Sequence, residues 1–422
     1  MEPGVLAVRQ ATPVSTGVTG LRERVAALPG MDRLLPALDG LEPTFLVGGA
    51  VRDLLLGKPV VDLDLVVEGD ARRVAQQIAA RLDGTAIEHD HFGTATVRAQ
   101  ELSVDLASAR RERYSRPGAL PSVEPAPLIE DLVRRDFTIN TMAIALSGHE
   151  LGRLHDPRGG FWDLRDRVVR VLHTRSFLDD PTRLLRALRY EARLDFAMET
   201  DTEALARQAG ARGAVATVSS SRVSDGLRLL LAEDNFPAAL RRMRELELDH
   251  ALHPALTVDP ELAASAALGA METGANRLMA ALAALVLGAP EPLLRWLDDL
   301  NLPAEVRQRV TRAVLQAPAV AHSLAPQLSN SALHDLLHGA PAEVLALALA
   351  LGAPSEPVLR YVRVVSATRL EIDGSDLIAA GVPQSPALGS ALRETLRRKL
   401  DGSVSGREEE LRTAVELAQR DT

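Results

Sequence analysis

The segment Val60-Val61-Asp62-Leu63-Asp64-Leu65 carries the clearest chemical content in this chain. Residues two apart in a β-strand share a face, so Asp62 and Asp64 project together while Val61, Leu63 and Leu65 turn the other way. Two adjacent carboxylates repel, and holding both against one sheet face requires solvent or a divalent cation. Paired carboxylates on Mg²⁺ are what phosphoryl transfer needs. Asp105, in the β-type run Leu102–Leu106, can supply a third oxygen. Asp62, Asp64 and Asp105 are therefore the candidate catalytic residues, and Asp62 and Asp64 the candidate metal ligands. An isolated pair of this kind is in most sequences a solvated edge-strand face. The preceding segment shifts that balance: in Phe45-Leu-Val-Gly48-Gly49-Ala-Val-Arg52-Asp53 an apolar strand runs into a glycine pair and then a helix. Glycines let backbone approach a ligand closely, and amides at a helix start suit a triphosphate. A plain strand-to-helix turn is the simpler alternative.

The elements that must position these residues are legible as patterns. From Thr44 to Ala145, short β-type runs (TFLVGGAV, VVDLDLVVE, GTATVRA, LSVDLAS) alternate with helical segments such as Ala71–Leu82, which predicts an α/β unit with a mixed sheet. After Asp156 strands thin out; His155–Leu172 reads as a turn and one last hairpin. Beyond Asp179 helical period dominates, with punctuation near Ser219, Pro254, Pro290, Pro303, Pro354 and Pro383. No internal repeat of fixed period is visible.

At 422 residues the chain is too long for one core, and two to four packed units are expected. Aromatics make up only 3% of residues, which leaves the core to Leu, Val and Ala and favours helices. Cysteine is absent, which excludes disulfides and thiolate metal sites and points to a reducing, cytoplasmic compartment. The longest apolar stretches, Leu278–Ala289 and Val344–Leu351, fall short of the roughly 20 residues needed to cross a bilayer. The N-terminus lacks the pattern of a secretory signal, so neither membrane nor export is expected. The net charge of −9 argues against bulk nucleic-acid binding but leaves room for a local basic groove. Lys58 and Lys399 are the only lysines, so such a groove would be built from Arg, which suits bidentate contacts to phosphate and base edges. Arginines cluster at Arg110, Arg111, Arg113 and Arg116, at Arg134 and Arg135, and from Arg183 to Arg193; a GC-rich coding bias is the plain alternative.

A glycine pair, then an Asp-x-Asp strand, then a third strand acid resembles the nucleotidyltransferases of the DNA polymerase β superfamily. Within it the chain is similar to the bacterial class II tRNA nucleotidyltransferases and poly(A) polymerases. LVGGAVRDLLLGKPVVDLDLVV resembles the first family motif, and DLVRRDFTINTMAIAL the second, which handles the ribose. HDPRGGFWDLRDRVVRVL is similar to the hinge between head and neck, and SFLDDPTRLLRALRYEARLDF to the nucleotide-selecting helix. LEIDGSDLIAAGVPQSPALGSALRETLRRKLDG resembles the C-terminal tail of these enzymes. Residues 1–20, rich in Pro, Gly, Thr and Ser without apolar period, read as a loose tail. The resemblance implies an α/β nucleotidyltransferase head at 21–155, a hinge and neck at 156–250, a helical body at 251–355 and a tRNA-binding tail at 356–422.

The resemblance also implies roles. Gly48, Gly49, Arg52 and Asp53 would handle the triphosphate region, with Mg²⁺ on Asp62 and Asp64. Asp136 and Asn140 would contact the ribose; read alone, Arg134, Arg135 and Asp136 are a helix cap with surface arginines before a helix opened by Thr138-Ile-Asn140. Asp179 or Asp180 can cap a helix with Pro181 in its first turn and Leu184, Leu185 and Leu188 on its apolar side, and Asp180 and Arg183 lie one turn apart. In the family an Asp acceptor and an Arg fork read the polar edge of adenine or cytosine in place of a template, which assigns base selection to Asp180 and Arg183, with Asp179 orienting Arg183. Arg110, Arg135, Arg186 and Arg189 are further candidate substrate contacts. The implied partners are tRNA, at its 3′ end and elbow, and ATP, with CTP left open.

Departures from the family pattern are informative. Asp179-Asp180 replaces the usual Glu-Asp, one methylene shorter at the support of Arg183. Ser221-Arg222-Val223-Ser224-Asp225 carries Asp where Glu is usual, and Pro383-Gln-Ser-Pro386 replaces Pro-Gly-Pro. His89 and His91 read as exposed strand-entry residues rather than a metal pair, and His250 and His253 lack the His-Asp pair of a phosphohydrolase. Between Asp105 and Arg134 the segment ARRERYSRPGALPSVEPAPLIEDLV corresponds at full length to the loop that family members need to add the terminal A. The expected activity is AMP addition to tRNA ending in CC, with C addition open. A poly(A) polymerase and a catalytically silent tRNA-binding protein are the rivals; the first is weakened by the lack of a basic C-terminal extension, the second by the intact Asp62-Leu-Asp64.

Overall fold

The computed structural model describes residues 20–89 and 93–420. The chain divides after Leu252 into two compact units. The first opens with α1 (Leu21–Ala26) and α2 (Met31–Ala37), followed by β1 (Thr44–Val47), α3 (Gly49–Leu55), β2 (Leu63–Val67), α4 (Ala71–Leu82), β3 (Thr85–His89), β4 (Thr94–Ala99) and β5 (Leu102–Ser108). A separate ribbon pairs β6 (Arg110–Arg113) with β7 (Ser122–Pro125). Then come α5 (Leu128–Val133), β8 (Ala143–Ala145), β9 (Leu154–His155) and α6 (Gly160–Arg165). Beyond β10 (Val168–Val169) the unit is helical: α7 (Ser176–Asp179), α8 (Thr182–Leu194), α9 (Thr200–Ala211), α10 (Ser220–Leu231), α11 (Phe236–Glu245) and α12 (Leu248–Leu252), with β11 (Ala197–Met198) between α8 and α9.

The main sheet is mixed, in the order β3-β4-β5-β2-β1-β8-β9. Only β2 and β5 run parallel, and their register sets Asp64 directly opposite Asp105. Each strand carries its core on alternate residues: in β5, Leu102, Val104 and Leu106 are buried while Ser103 and Asp105 are exposed. One face packs on α4, which buries Ala71, Val74, Ala75, Ile78 and Leu82 at helical spacing. Its start is fixed by Asp70, whose carboxylate accepts from the Arg72 and Arg73 amides, and Asp83 closes it in the left-handed region at φ 52°. The other face, through Phe45, Val47, Val66, Ala143 and Ala145, packs on Leu128 and Leu132 of α5. Asp64 lies on that same face, two residues before Val66.

Two local readings change. His155–Leu172 is not a hairpin: the Asp156 carboxylate accepts from the Gly160 and Phe161 amides, 2.8 and 2.9 Å, and so starts α6. β10 then pairs in parallel with β11, on the far side of α8. Thr138–Asn140 is a single 3₁₀ turn leading into β8, not the opening of an α-helix. Its first amide donates to the Arg170 carbonyl, 2.9 Å, which commits it to tertiary contacts. The expected N-terminal tail, apart from Gly20, and His91 lie outside the described residues.

The second unit, from His253, is all-helical among the described residues. The expected boundaries hold: Pro290 opens a helix, Pro303 and Pro354 precede two more, and Pro254 and Pro383 lie between helices, although Pro318 stands inside Ala304–Ser323. The helix Arg277–Leu287 buries every residue from Ala280 to Val286, so its apolar run is core. Among the described residues no helix is long and apolar enough to cross a membrane.

Candidate active site

The first unit holds a cleft of about 610 Å³, lined by Gly48, Gly49, Arg52, Asp53, Asp62, Asp64, Arg135, Asp136, Asn140, Asp180, Arg183 and Arg186 among others. Six separate stretches of sequence therefore converge on one space.

At its floor, β2 begins at Leu63, so Asp62 sits in the loop just before the strand and Asp64 within it. Leu63 and Leu65 turn inward as expected, but Val61 is 84% exposed at the cleft edge because the strand has not yet begun. Asp64 is open to the cleft yet crowded by protein. Desolvation, then the neighbouring Asp105 carboxylate, push its pKa up; Arg135 opposes them and Asp62 adds to the rise. Asp105 shares the sheet face of Asp64 but does not line the main cleft; it accepts from the Thr96 hydroxyl at 2.6 Å, while Thr96 Oγ1 lies 3.0 Å from His89 Nε2.

Above the floor, Gly48 has φ 63° and ψ −125°, open in practice only to glycine. A Cβ there would lie 2.8 Å from Arg135 Nη1. The turn thus brings backbone against a guanidinium at the start of α3. Behind it Arg52 is 3% exposed and forks onto Asp53, with Nε to Oδ1 at 2.9 Å and Nη2 to Oδ2 at 3.0 Å. Its Nη1 donates to Asn140 Oδ1, 2.8 Å, and Asn140 Nδ2 donates to Asp136 Oδ1, 3.0 Å. Arg186 Nε reaches Asp136 Oδ2 at 2.7 Å. Burial alone would raise the Asp136 pKa, but Arg186 and the Asn140 hydrogen bond hold it below the ordinary carboxylate range. Tyr190 lies beneath both guanidiniums, its centroid 5.4 Å from Arg52 Cζ and 5.8 Å from Arg186 Cζ.

On the third wall, Asp180 Oδ1 accepts from the Thr182 amide and hydroxyl, 3.1 and 2.7 Å, and from Arg222 Nη2, 2.8 Å. Leu184, Leu185 and Leu188 are buried, so α8 turns its apolar side to the core as expected. Arg183 is 4% exposed; its Nη1 donates to Ser176 Oγ, 2.6 Å, and its Nη2 to the Arg134 carbonyl, 3.0 Å. The expected support by Asp179 is not formed: Asp179 accepts at 3.2 Å from Nη2 of Arg175, the residue just before its own helix. The shorter Asp leaves this task to Ser176 and the Arg134 backbone.

Two other candidates lie off the cleft lining. Arg189 Nε pairs with Glu233, 2.5 Å, tying α8 to the segment after α10. Arg110 sits on the ribbon, 3.6 Å from Glu112, and burial lowers its pKa. Conversely, the cleft includes residues not singled out from sequence as substrate contacts, among them Tyr114, Arg134, Tyr190, Arg193 and Arg222. Tyr114 donates to Glu112, 3.1 Å, and burial pushes its pKa up to about 12. Arg134 belongs to a visible arginine cluster; Arg222 gives no local signal, since its partner Asp180 is remote in sequence.

Residues 44–170 match the poly(A) polymerase head domain model, which spans the sheet and most of the cleft. Over 206 residues, 48% of this chain, the sequence is 48% identical to the A-adding tRNA nucleotidyltransferase of Aquifex aeolicus, of which it covers only 25%. Over 380 residues it is 35% identical to the A-adding tRNA nucleotidyltransferase of Halalkalibacterium halodurans, covering 88% of each chain. This chain belongs to the class II tRNA nucleotidyltransferase family. The likeness to that family extends to structure. A Thermotoga maritima CCA-adding enzyme complexed with tRNA superposes with a TM-score of 0.72 at 32% identity, over 89% of this chain and 91% of that one.

Enzymes of the class II tRNA nucleotidyltransferase family depend on a divalent metal. Among the described residues no three His, Asp or Glu side chains cluster to cage an ion. The donors present still fit one: hard cations at phosphoryl-transfer sites are held by one or two carboxylates and completed by substrate phosphates. Asp64 stands opposite Asp105 and next but one to Asp62, and burial first, then these carboxylates, push its pKa up, a strain on the charged form that such a cation would relieve.

Proposed function

We propose that this protein transfers AMP from ATP, using Mg²⁺, to the 3′ end of a tRNA ending in CC, completing CCA without a nucleic-acid template, with CMP addition from CTP left open. The observation that carries this reading is the meeting of Asp62 and Asp64 with Asp180 and Arg183 in one cleft. Acidic metal donors and a base-reading pair made of protein side chains then act on the same nucleotide. The position of Tyr114 supports the adenine reading: the ribbon β6–β7 and its loop bring this residue into the cleft from the segment that the family needs for A addition.

In this reading the Gly48–Gly49 backbone and Arg135 receive the triphosphate. Asp136, fixed by Arg186 and Asn140, faces the ribose. Asp180 Oδ1 is saturated by Thr182 and Arg222, so Oδ2 is the acceptor left for an exocyclic amine. Each Arg183 Nη carries a second hydrogen for a ring nitrogen. Adenine and cytosine both present an amine beside a ring acceptor, whereas guanine and uracil invert that order. When bound to Asp62 and Asp64, Mg²⁺ supplies activation of the attacking 3′-hydroxyl and charge neutralisation on the leaving pyrophosphate. The division into head, neck, body and tail, with the tail on the tRNA elbow, belongs to this proposal. So does a cytoplasmic location, which the cysteine-free chain suits.

The test is incubation with tRNA transcripts lacking one, two or three 3′ nucleotides. AMP incorporation into the transcript ending in CC is expected. No incorporation refutes the reading in favour of a silent RNA binder, and a long A tail refutes it in favour of a poly(A) polymerase. Elongation of the fully truncated transcript only to CC, with ATP present, refutes A addition. Replacing Asp180 and Arg183 together by Ala should blunt base choice more than chemistry, lowering the preference for ATP over GTP by about 5- to 150-fold, equivalent to about 1 to 3 kcal/mol. Competition among the four triphosphates measures it, and an unchanged preference places selection elsewhere.

A further inference from the structure

Asp131 is fully buried, an unusual place for a carboxylate on a six-residue helix. Its neighbours Leu128 and Leu132 anchor α5 to the sheet face that also bears Asp64. The two carboxylate oxygens are divided between two guanidiniums. Oδ1 accepts from Arg134 Nε and Nη2, 3.0 and 2.7 Å, and from the Arg110 amide, 3.3 Å. Oδ2 accepts from Arg135 Nη2 at 3.0 Å. Burial alone would raise the Asp131 pKa, but Arg135 and Arg134 hold it low, so the side chain stays ionised.

The rest of the Arg135 fork is unspent. Its Nη1 lies 2.8 Å from where a Gly48 Cβ would stand, and its Nε is buried with no hydrogen-bond partner. Its charge reaches Asp64, where it opposes the rise in pKa that burial and Asp105 impose. A buried ion pair adds little net stability compared with apolar packing, and what it supplies is geometry. Asp131 holds Nη2 of the fork, which leaves Nη1 beside Gly48 on the wall of the cleft, where a polyphosphate would sit.

We propose that Asp131 is a positioning residue that sets the Arg135 guanidinium for the triphosphate. This rests on the nucleotidyltransferase reading for the identity of the ligand. The geometry itself can be tested without RNA or turnover. Calorimetric titration of the full chain with inorganic tripolyphosphate and Mg²⁺ is the assay. Asp131→Asn keeps the shape, loses the charge and should weaken tripolyphosphate by about tenfold, the scale of one charge-assisted hydrogen bond. ATP KM should rise by a similar factor with kcat changed less. Arg135→Gln should produce the same loss, and the double variant should be no worse than Arg135→Gln alone, because one residue acts through the other. Wild-type tripolyphosphate affinity in a folded Asp131→Asn protein, or losses that add, overturn the proposal. If Asp131→Asn does not fold, Arg135→Lys decides: it keeps the charge and loses the fork, so a loss of about fivefold or more supports the proposal and unchanged affinity overturns it. Should tripolyphosphate bind as described while no nucleotide is ever transferred to tRNA, the functional reading fails and the role of Asp131 stands.

Discussion

Asp64→Ala and Asp62→Ala are each expected to abolish nucleotide incorporation, lowering the single-turnover rate by about a thousandfold or more, since the metal supplies several kcal/mol of charge stabilisation. The reason lies in the donor set. Asp64 stands opposite Asp105 on the parallel strand pair, and its carboxyl is pushed up by burial and by that neighbour. Removing either cleft carboxylate halves the protein oxygen donors that would hold the cation against the phosphates. The tRNA affinity of both variants should stay within a few-fold of the parent, because the RNA contact surface is proposed to be largely helical. Rapid-quench incorporation with filter binding on the same proteins separates the two effects. Retained turnover in both variants would sink the metal-site assignment.

The second large effect concerns Arg186. Replacing it by Met leaves the 7%-exposed Asp136 with Asn140 and a backbone amide but without its cation. The Arg186 side chain is 44% exposed, so the cost is discounted from that of a fully buried pair to about 2 to 3 kcal/mol at pH 7. The sign of its pH dependence follows from linkage. In the parent the Asp136 pKa is depressed, so its stabilisation is present above the unfolded value of about 4 and fades as pH falls through the folded value. In Arg186→Met desolvation, the largest influence on this group, is no longer opposed by the guanidinium, and the carboxyl pKa moves up. The deficit should then be largest at neutral pH and shrink in acid, where Asp136 is protonated. Asp136→Asn added to Arg186→Met should recover part of it. Urea unfolding of the parent and the two variants at pH 7 and near pH 4 provides the measurement. A deficit equal at both pH values would show that the loss is one of packing alone.

Contiguous sequence determined what depends on period and local spacing. The helix Ala71–Leu82 is legible to the residue because its apolar positions repeat once per turn between Asp70 and Asp83. The strands around Gly48 and Asp64, the helical character beyond Asp179 and the breaks at Pro290, Pro303 and Pro354 follow for the same reason. So does the expectation that Asp62 and Asp64 share a locale, although only the structure shows that β2 begins between them. The tertiary structure decided the partners. β10 pairs with β11 across α8, Arg183 rests on Ser176 and the Arg134 carbonyl rather than on Asp179, Arg222 holds Asp180, and Asp131 holds Arg134 and Arg135. Arg189, from the same arginine run as Arg186, turns instead to Glu233. An arginine has the same long, flexible, charged side chain in each of these places. Which carboxylate or carbonyl it meets is set by the way distant segments pack, and no local periodicity encodes that.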